Sequence, residues 1–63
     1  MRVRVYSKDD PRRKNVNHWI RVNQNGLCKL CRKEITENDE VVSGVKHRTV
    51  YYHLVCAKMI HII

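Results

Sequence analysis

The sequence predicts a small α+β domain that needs more than a hydrophobic core to fold. It has 63 residues, of which 43% are apolar and 30% charged, and phenylalanine is absent. A chain this short usually buries too little surface to offset the entropy of ordering it. Alternating polar and apolar runs predict strands, and an apolar run near the C-terminus predicts a helix. All three cysteines occur in two short motifs, which are candidates for the missing stabilisation.

Residues 1–26 are predicted to form strands and a basic loop. Alternation over residues 2–6 and again over residues 16–22 is typical of half-buried strands. Pro11 disfavours helix at the residue before it, so the basic run at residues 12–14 is expected on an exposed loop. The Asn-Gln-Asn-Gly run that follows the second predicted strand indicates a turn.

Residues 27–63 are predicted to contain a hairpin and then the helix. Two β-rich runs, residues 40–42 and 49–52, are separated by residues 43–46, which have the length and composition of a hairpin connection. From His53 onward, apolar residues recur at the spacing of a helix with a broad apolar face. The two segments together are expected to form one compact domain.

Four potential metal ligands occur as Cys28-x-x-Cys31 and His53-x-x-Cys56, with twenty-one residues between the pairs. Two residues between cysteines allow a tight turn to direct both sulfurs at one ion. Ligands three residues apart at a helix start lie on the same face. Three thiolates and an imidazole suit tetrahedral zinc, and metal binding can supply the folding energy that a small core lacks. We therefore expect one structural Zn²⁺.

The fourth ligand has competitors among the histidines. His61 follows Cys56 by five positions, and His47 also lies nearby in the sequence. His53 is preferred because its spacing from Cys56 is regular for a helix start, whereas His47 would place a ligand within the hairpin. His18 is expected to be a half-buried sheet residue.

The motif does not indicate catalysis. Three thiolates and an imidazole complete the coordination sphere and leave no open position for water. A thioredoxin-like redox pair needs a βαβ scaffold that 63 residues cannot supply. Because no nucleophile and base pair is visible either, we expect neither an enzyme nor a small-molecule substrate.

The ligand pattern resembles treble-clef zinc fingers, in particular the first zinc module of LIM domains, and more weakly the poly(ADP-ribose) polymerase-type finger. The resemblance rests on Cys28, Cys31, Ile35, Glu37, Asn38, Asp39, Tyr52, His53 and Cys56. It covers residues 27–60 and implies a zinc knuckle, a β-hairpin and a C-terminal helix whose first turn carries the second ligand pair. One or two N-terminal strands would be added to this fold. A LIM domain continues into a second zinc module, where this chain has seven residues after Cys56.

The charge predicts an anionic partner. Thirteen lysines and arginines against six acidic residues give +7, and residues 1–26 hold seven of the basic residues but two of the acidic ones. Phosphate contacts with DNA or RNA are therefore expected. Trp19 would stack on a base if it is exposed, although a core position is the favoured alternative. The candidate contact residues are Arg2, Arg4, Arg12, Arg13, Lys14, Trp19, Arg21, Lys29, Arg32 and Lys33.

The apolar C-terminal helix supports a second functional hypothesis, a protein-interaction or assembly module. It has more apolar surface than a domain of this size is expected to cover, so it would pair with a second copy or a larger complex. The residues concerned are Leu54, Val55, Met59, Ile60, Ile62 and Ile63. Three cysteines cannot form a closed disulfide framework, and neither a signal peptide nor a membrane span is visible. These features predict an intracellular protein without a membrane partner.

Overall fold

A computed structural model describes residues 2–45 and 47–63 of the chain. These residues form an antiparallel sheet with strand order β1-β2-β3, one helix before the hairpin and one after it. In chain order the elements are β1 (Arg2–Tyr6), α1 (Arg13–Gln24), β2 (Val41–Val45), β3 (Thr49–His53) and α2 (Leu54–Met59). The prediction of a small α+β domain is confirmed at this level.

The strand predicted at residues 2–6 is confirmed, and it adds to the edge of the predicted hairpin. In the centre of the sheet, Val42 of β2 lies opposite Val5 on one side and Tyr52 on the other. The connection predicted at residues 43–46 was wrong, because residues 43–45 continue β2. They stay extended because β2 is the central strand, whose backbone groups can pair on both sides. Lys46, the last residue of the predicted connection, lies outside the described residues.

The strand predicted at residues 16–22 was wrong, because this segment lies within helix α1. Val16 and Ile20 are buried, whereas His18 and Val22, which alternation had placed on the same face, are exposed. A spacing of four residues puts two side chains on one side of both a strand and a helix. The alternating pattern therefore did not distinguish the two structures.

The start of α1 replaces the exposed loop predicted at residues 12–14. Arg12 is the N-cap residue, and Arg13 begins the helix. Asp10 stabilises this start: its carboxylate accepts a hydrogen bond from the Arg12 N–H at 2.8 Å, and its carbonyl accepts one from the Arg13 N–H at 2.9 Å. These bonds occupy N–H groups that have no partner inside the helix.

The end of α1 coincides with part of the predicted turn at residues 23–26. Asn23 and Gln24 are still helical, and the chain turns at Asn25 and Gly26, whose φ angles are 54° and 77°. Both residue types tolerate this left-handed conformation and commonly end helices. The N–H of Gly26 donates to the carbonyl of Ile20 at 3.1 Å, which closes the helix end.

One hydrophobic core joins the N-terminal segment to the hairpin. Val16 and Ile20 of α1 pack with Val41 of β2 and Tyr51 of β3. Tyr6 and Ile35 are partly buried against this cluster. Residues 1–26 and 27–63 therefore contribute to the same core.

The C-terminal helix is shorter than its apolar pattern predicts. It ends at Met59, and His61 adopts a left-handed φ of 59°. Cys56 and Ala57 are buried, whereas Val55 and Met59 are exposed. Within the described residues, neither helix has the length and apolar content required to cross a bilayer.

Candidate metal centre and basic surface

The first two candidate ligands lie in a tight loop between Leu27 and Glu34, which form an isolated antiparallel bridge. The N–H of Cys28 donates to the carbonyl of Lys33 at 2.8 Å, and the N–H of Arg32 donates to the carbonyl of Cys28 at 3.1 Å. Arg32 has a φ of 64°, and this left-handed residue turns the chain back directly after Cys31. The loop, which we call the knuckle (residues 27–34), thus holds both cysteines close together.

The other two candidate ligands lie where β3 passes into α2. His53 is the last residue of β3 and the N-cap of α2, and Cys56 lies in the first turn of that helix. The knuckle is bonded to the same strand, because the N–H of Lys29 donates to the carbonyl of Tyr51 at 3.1 Å. The sheet therefore brings together two ligand pairs that are far apart in the sequence.

Cys28, Cys31, His53 and Cys56 form a cluster that could hold a metal ion, with all four ligand atoms within 4.8 Å of one another. His53 Nδ1 lies 3.4 Å from Cys31 Sγ and 3.8 Å from Cys56 Sγ. Tetrahedral zinc with ordinary bond lengths would separate a sulfur from a nitrogen ligand by about 3.6 Å. Among the described histidines, His53 alone joins this cluster, so the preference for it over His47 and His61 agrees with the geometry.

Two thiols of the cluster, those of Cys28 and Cys56, have opposed pKa shifts. Burial raises the pKa of Cys28, but N–H groups that include those of Leu30 and His53, each 3.4 Å from the sulfur, lower it more, to about 6. Burial and the neighbouring sulfurs raise the pKa of Cys56 to about 12. A positive charge beside the sulfurs would lower the pKa of Cys56 and favour its thiolate, and a bound metal ion would supply that charge.

The imidazole of His53 is oriented by a contact at Nε2, the ring nitrogen that does not face the sulfurs. Its Nε2 lies 3.0 Å from the carbonyl oxygen of Glu34, a distance that suits an N–H donor at Nε2 and leaves Nδ1 free to bind a metal. The carboxylate of Asp39 lies 3.6 Å from the same nitrogen. Asp39 also accepts a hydrogen bond from the Thr36 N–H at 2.9 Å, and this bond lowers the pKa of its carboxyl group.

Arg13 is a structural residue, which corrects its prediction as a phosphate contact. Its side chain is 4% exposed and donates to the carbonyl oxygens of Thr36, at 2.9 Å, and of Asp39. Its Nε donates to Asn17 Oδ1 at 2.8 Å. Burial lowers the pKa of the Arg13 guanidinium, and the charges of Asp39 and Glu37 partly oppose this shift. The group therefore ties α1 to the loop before β2 and is not accessible to a partner.

Arg12 is exposed but already has two partners within the protein. Its guanidinium lies 3.5 Å from the carboxylate of Asp10 and 5.6 Å from the centre of the Tyr6 ring. The remaining basic candidates are all exposed and lie on three parts of the fold: Arg2 and Arg4 on β1, Lys14 and Arg21 on α1, and Lys29, Arg32 and Lys33 on the knuckle.

Trp19 is 48% exposed, which contradicts the favoured expectation of a core position. It lies at a cleft of about 330 Å³ between α1, the knuckle and β3. The sequence prediction of contact residues missed Arg48, an exposed residue at this cleft. Its position directly before a β-rich run could have predicted that it is exposed, since residues in hairpin connections usually lie on the surface.

No protein-family model, curated protein or solved structure matches this chain. The resemblance to the LIM module and to the poly(ADP-ribose) polymerase-type finger therefore stays a prediction. The geometry of the four ligand residues stands independently of it.

Proposed function

We propose that this protein binds nucleic acid, mainly through phosphate contacts, on a scaffold held together by one zinc ion. The observation that carries the proposal is the excess of exposed basic side chains that have no acidic partner. Within the described residues, Arg12 is the one lysine or arginine that forms an ion pair. A surface with free cations and a formal charge of +7 favours polyanions and loses affinity as salt rises.

The position of the acidic residues supports the same proposal. All six lie in two short segments, residues 9–10 and residues 34–40. Asp10 is bound to Arg12, and Asp39 lies beside His53 and accepts a hydrogen bond from Thr36. Since the acidic side chains are confined to these segments, the charged side chains in the rest of the sequence are all basic.

We infer that the metal is zinc and that its role is structural. A set of three sulfurs and one imidazole is typical of closed zinc sites, which leave no position for a substrate or water. We further propose a treble-clef arrangement, because a knuckle precedes a hairpin and a helix whose first turn contains Cys56. The ion would join the knuckle to the end of β3 and the start of α2.

The test is a binding titration of the zinc-loaded protein. Labelled single-stranded DNA, single-stranded RNA and duplex DNA of mixed sequence are titrated at low and moderate salt, and binding is followed by fluorescence anisotropy. We expect affinity to fall as salt rises, with a logarithmic slope of about −0.9 per phosphate neutralised on duplex DNA and about −0.7 on single strands. Absence of salt-sensitive binding to all three ligands would reject the proposal.

Charge reversal at matched positions shows which surface is responsible. Arg32→Glu and Lys33→Glu alter the knuckle, whereas Lys58→Glu makes the same change at an exposed residue of α2 that is not a predicted contact. We expect the knuckle variants to weaken binding and the α2 variant to weaken it least. Circular dichroism and native mass spectrometry verify that each variant is folded and contains zinc. Equal losses in all three would indicate that net charge alone determines binding.

An assembly module is the second candidate function, and the exposed face of α2 favours it. Val55 and Met59 are 64% and 68% exposed, and Ile60 and Ile63 are also exposed. Exposed apolar side chains that lie together are common at interfaces. Light scattering tests this candidate: a dimer that becomes monomeric in Val55→Glu or Met59→Glu would support it, and a monomeric wild-type protein would count against self-association.

A further inference from the structure

The cleft at Trp19 is formed by three separate parts of the chain. The second half of α1 contributes Trp19, Asn23 and Gln24, the knuckle contributes Lys29, and residues 48–51 complete it. Its volume of about 330 Å³ lies at the lower end of the range for small-molecule sites, roughly 300–1,000 Å³. The cleft can therefore accept a group of limited size, such as one aromatic base.

The lining of this cleft is basic without opposing acidic groups. Lys29 and Arg48 are both exposed, and the described residues that line it include no Asp or Glu. Two other clefts contain carboxylates, since Glu34 lines the one beside Arg21 and Asp9 lines the one beside Lys14. The Trp19 cleft thus has the charge that would attract a phosphate group.

The indole of Trp19 is available as a stacking surface. Its nearest aromatic neighbour is the His18 ring, 5.2 Å away between centroids and inclined by 73°, so the two rings are not stacked face to face. A different basic cleft, beside Arg2 and Arg4, contains Tyr6, but Arg12 already lies over the Tyr6 ring. Trp19 is therefore the better aromatic platform beside free basic groups.

The walls of the Trp19 cleft are held in place by hydrogen bonds to backbone groups. The amide of Gln24 donates from Nε2 to the carbonyls of Leu27, at 2.7 Å, and Tyr51, at 3.0 Å, and its Oε1 accepts from the Tyr51 N–H at 2.7 Å. The backbone of Lys29 is bonded to the same Tyr51 carbonyl. Helix, knuckle and strand thus have fixed relative positions before a ligand arrives, which lowers the cost of binding.

We propose that this cleft binds one unpaired base of a single-stranded nucleic acid. The base stacks on Trp19, and Lys29 and Arg48 contact the phosphates on either side of it. An unpaired base can offer its face to an aromatic ring, whereas a base inside a duplex is already stacked on its neighbours. This inference rests on the proposed function and adds to it a preference for single strands and a stacking residue.

The first experiment uses Trp19 as its own probe, because it is the only tryptophan in the chain. A short oligothymidylate, the matching oligouridylate and a blunt DNA duplex are each titrated into the zinc-loaded protein, and tryptophan fluorescence is recorded. We expect both single strands to quench the fluorescence and the duplex to leave it nearly unchanged. Equal quenching by the duplex, or binding of single strands by anisotropy without quenching, would overturn the inference. The two single strands compare DNA with RNA at the same site.

The second experiment measures affinity for the oligothymidylate in variants. Trp19→Ala should weaken binding by about 5- to 150-fold, the usual effect of removing one stacking aromatic. Trp19→Phe keeps an aromatic face and should retain most of the affinity. Val22→Ala changes an exposed apolar residue of α1 outside the cleft and should leave affinity unchanged. Circular dichroism verifies folding, and a Trp19→Phe variant as weak as Trp19→Ala would contradict the stacking role.

The salt dependence separates this inference from the proposed function. Lys29→Glu and Arg48→Glu should each reduce the logarithmic slope on the single strand by about 0.7, whereas Trp19→Ala should leave the slope unchanged. If Trp19→Ala binds single strands as tightly as the wild type and binding stays salt-sensitive, the stacking site is wrong but the proposed function stands. If the wild-type protein binds no nucleic acid, both are wrong.

Discussion

The candidate metal centre and the Trp19 cleft lie towards opposite ends of β3 and differ in how far their side chains are exposed to solvent. The centre takes His53 from the end of the strand and buries Cys28 and Cys56, and backbone groups bond the Cys28 sulfur and the His53 ring. The cleft includes Thr49, at the other end of the strand, and its Trp19, Lys29 and Arg48 are exposed to solvent. Under the proposed function, the first region would maintain the fold and the second would bind the partner.

Loss of a metal ligand should have the largest effect on the fold. We expect His53→Ala to abolish zinc binding and unfold the chain, because structural zinc supplies on the order of 10 kcal/mol to folding. His61→Asn is the matched control, since it changes an exposed histidine outside the cluster to a residue that tolerates its left-handed φ. Native mass spectrometry and circular dichroism, with and without a chelator, measure both properties.

The reverse result in these two histidine variants would assign the fourth ligand to His61. A protein that keeps its full helical and strand signal after chelation would contradict the structural role of the ion. Either result would remove the distinction between a region that maintains the fold and one that binds.

Truncation of Arg13 should have the next largest effect. Arg13→Ala leaves the carbonyls of Thr36 and Asp39 without their donor, and we expect a loss of about 2–4 kcal/mol in the free energy of unfolding. Arg12→Ala removes an exposed ion pair and should cost less than about 1 kcal/mol. Urea unfolding of the zinc-loaded variants measures the difference.

Nucleic-acid affinity gives an independent test of Arg13. Because its guanidinium is buried, the folded fraction of Arg13→Ala should bind as tightly as the wild type. A stable Arg13→Ala variant with reduced affinity would instead indicate that Arg13 contacts the nucleic acid.

Gln24 connects the two regions, and its replacement should have an intermediate effect. Gln24→Ala removes hydrogen bonds to Leu27 of the knuckle and Tyr51 of β3, and we expect a loss of about 1–3 kcal/mol. Gln24→Glu keeps the size and the acceptor but loses the donor, so it should be at least as unstable. Thermal unfolding of the zinc-loaded proteins ranks the two variants. A fully stable Gln24→Glu would show that the donor contributes little.

The smallest effect is expected at Asp39. Asp39→Asn removes a carboxylate that is 40% exposed, and solvent screening limits the loss to about 1 kcal/mol or less. Since folding lowers the pKa of this carboxyl group below its unfolded value near 3.9, its stabilising contribution is present above that pH and is lost as the pH falls through the folded pKa.

Urea unfolding of the wild type and Asp39→Asn between pH 7 and about pH 3 checks this sign. The difference between them should be constant above about pH 6, where Asp39 is ionised in both states, and should shrink as the pH falls below about 4. A difference that grows as the pH falls would contradict the sign.

The cysteine and histidine ligands could be predicted from the sequence because their spacing is local. Two residues between Cys28 and Cys31, and between His53 and Cys56, restrict how each pair can point. The hairpin was also predictable, since its β-rich runs lie close together in the chain. Its connection was placed too early because Ser43 and Gly44 resemble turn residues but lie in the central strand, where pairing on both sides keeps them extended.

The basic residues could not be sorted from the sequence. Arg12, Arg13 and Lys14 are adjacent, yet Arg12 is bound to Asp10, Arg13 is buried and Lys14 is exposed. The sequence gives no basis for separating these three residues. The environment of each side chain depends on what the helix packs against.

By itself, the sequence determined that the chain is basic, that its core is small and that four ligands are available for one metal ion. The tertiary structure decided that residues 13–24 form a helix, because Val16 and Ile20 satisfy the periods of a strand and a helix equally well and only packing against Val41 and Tyr51 distinguishes them. Tertiary packing also buries Arg13 and forms the cleft at Trp19. Both depend on contacts with chain segments more than twenty residues away, which no local pattern encodes.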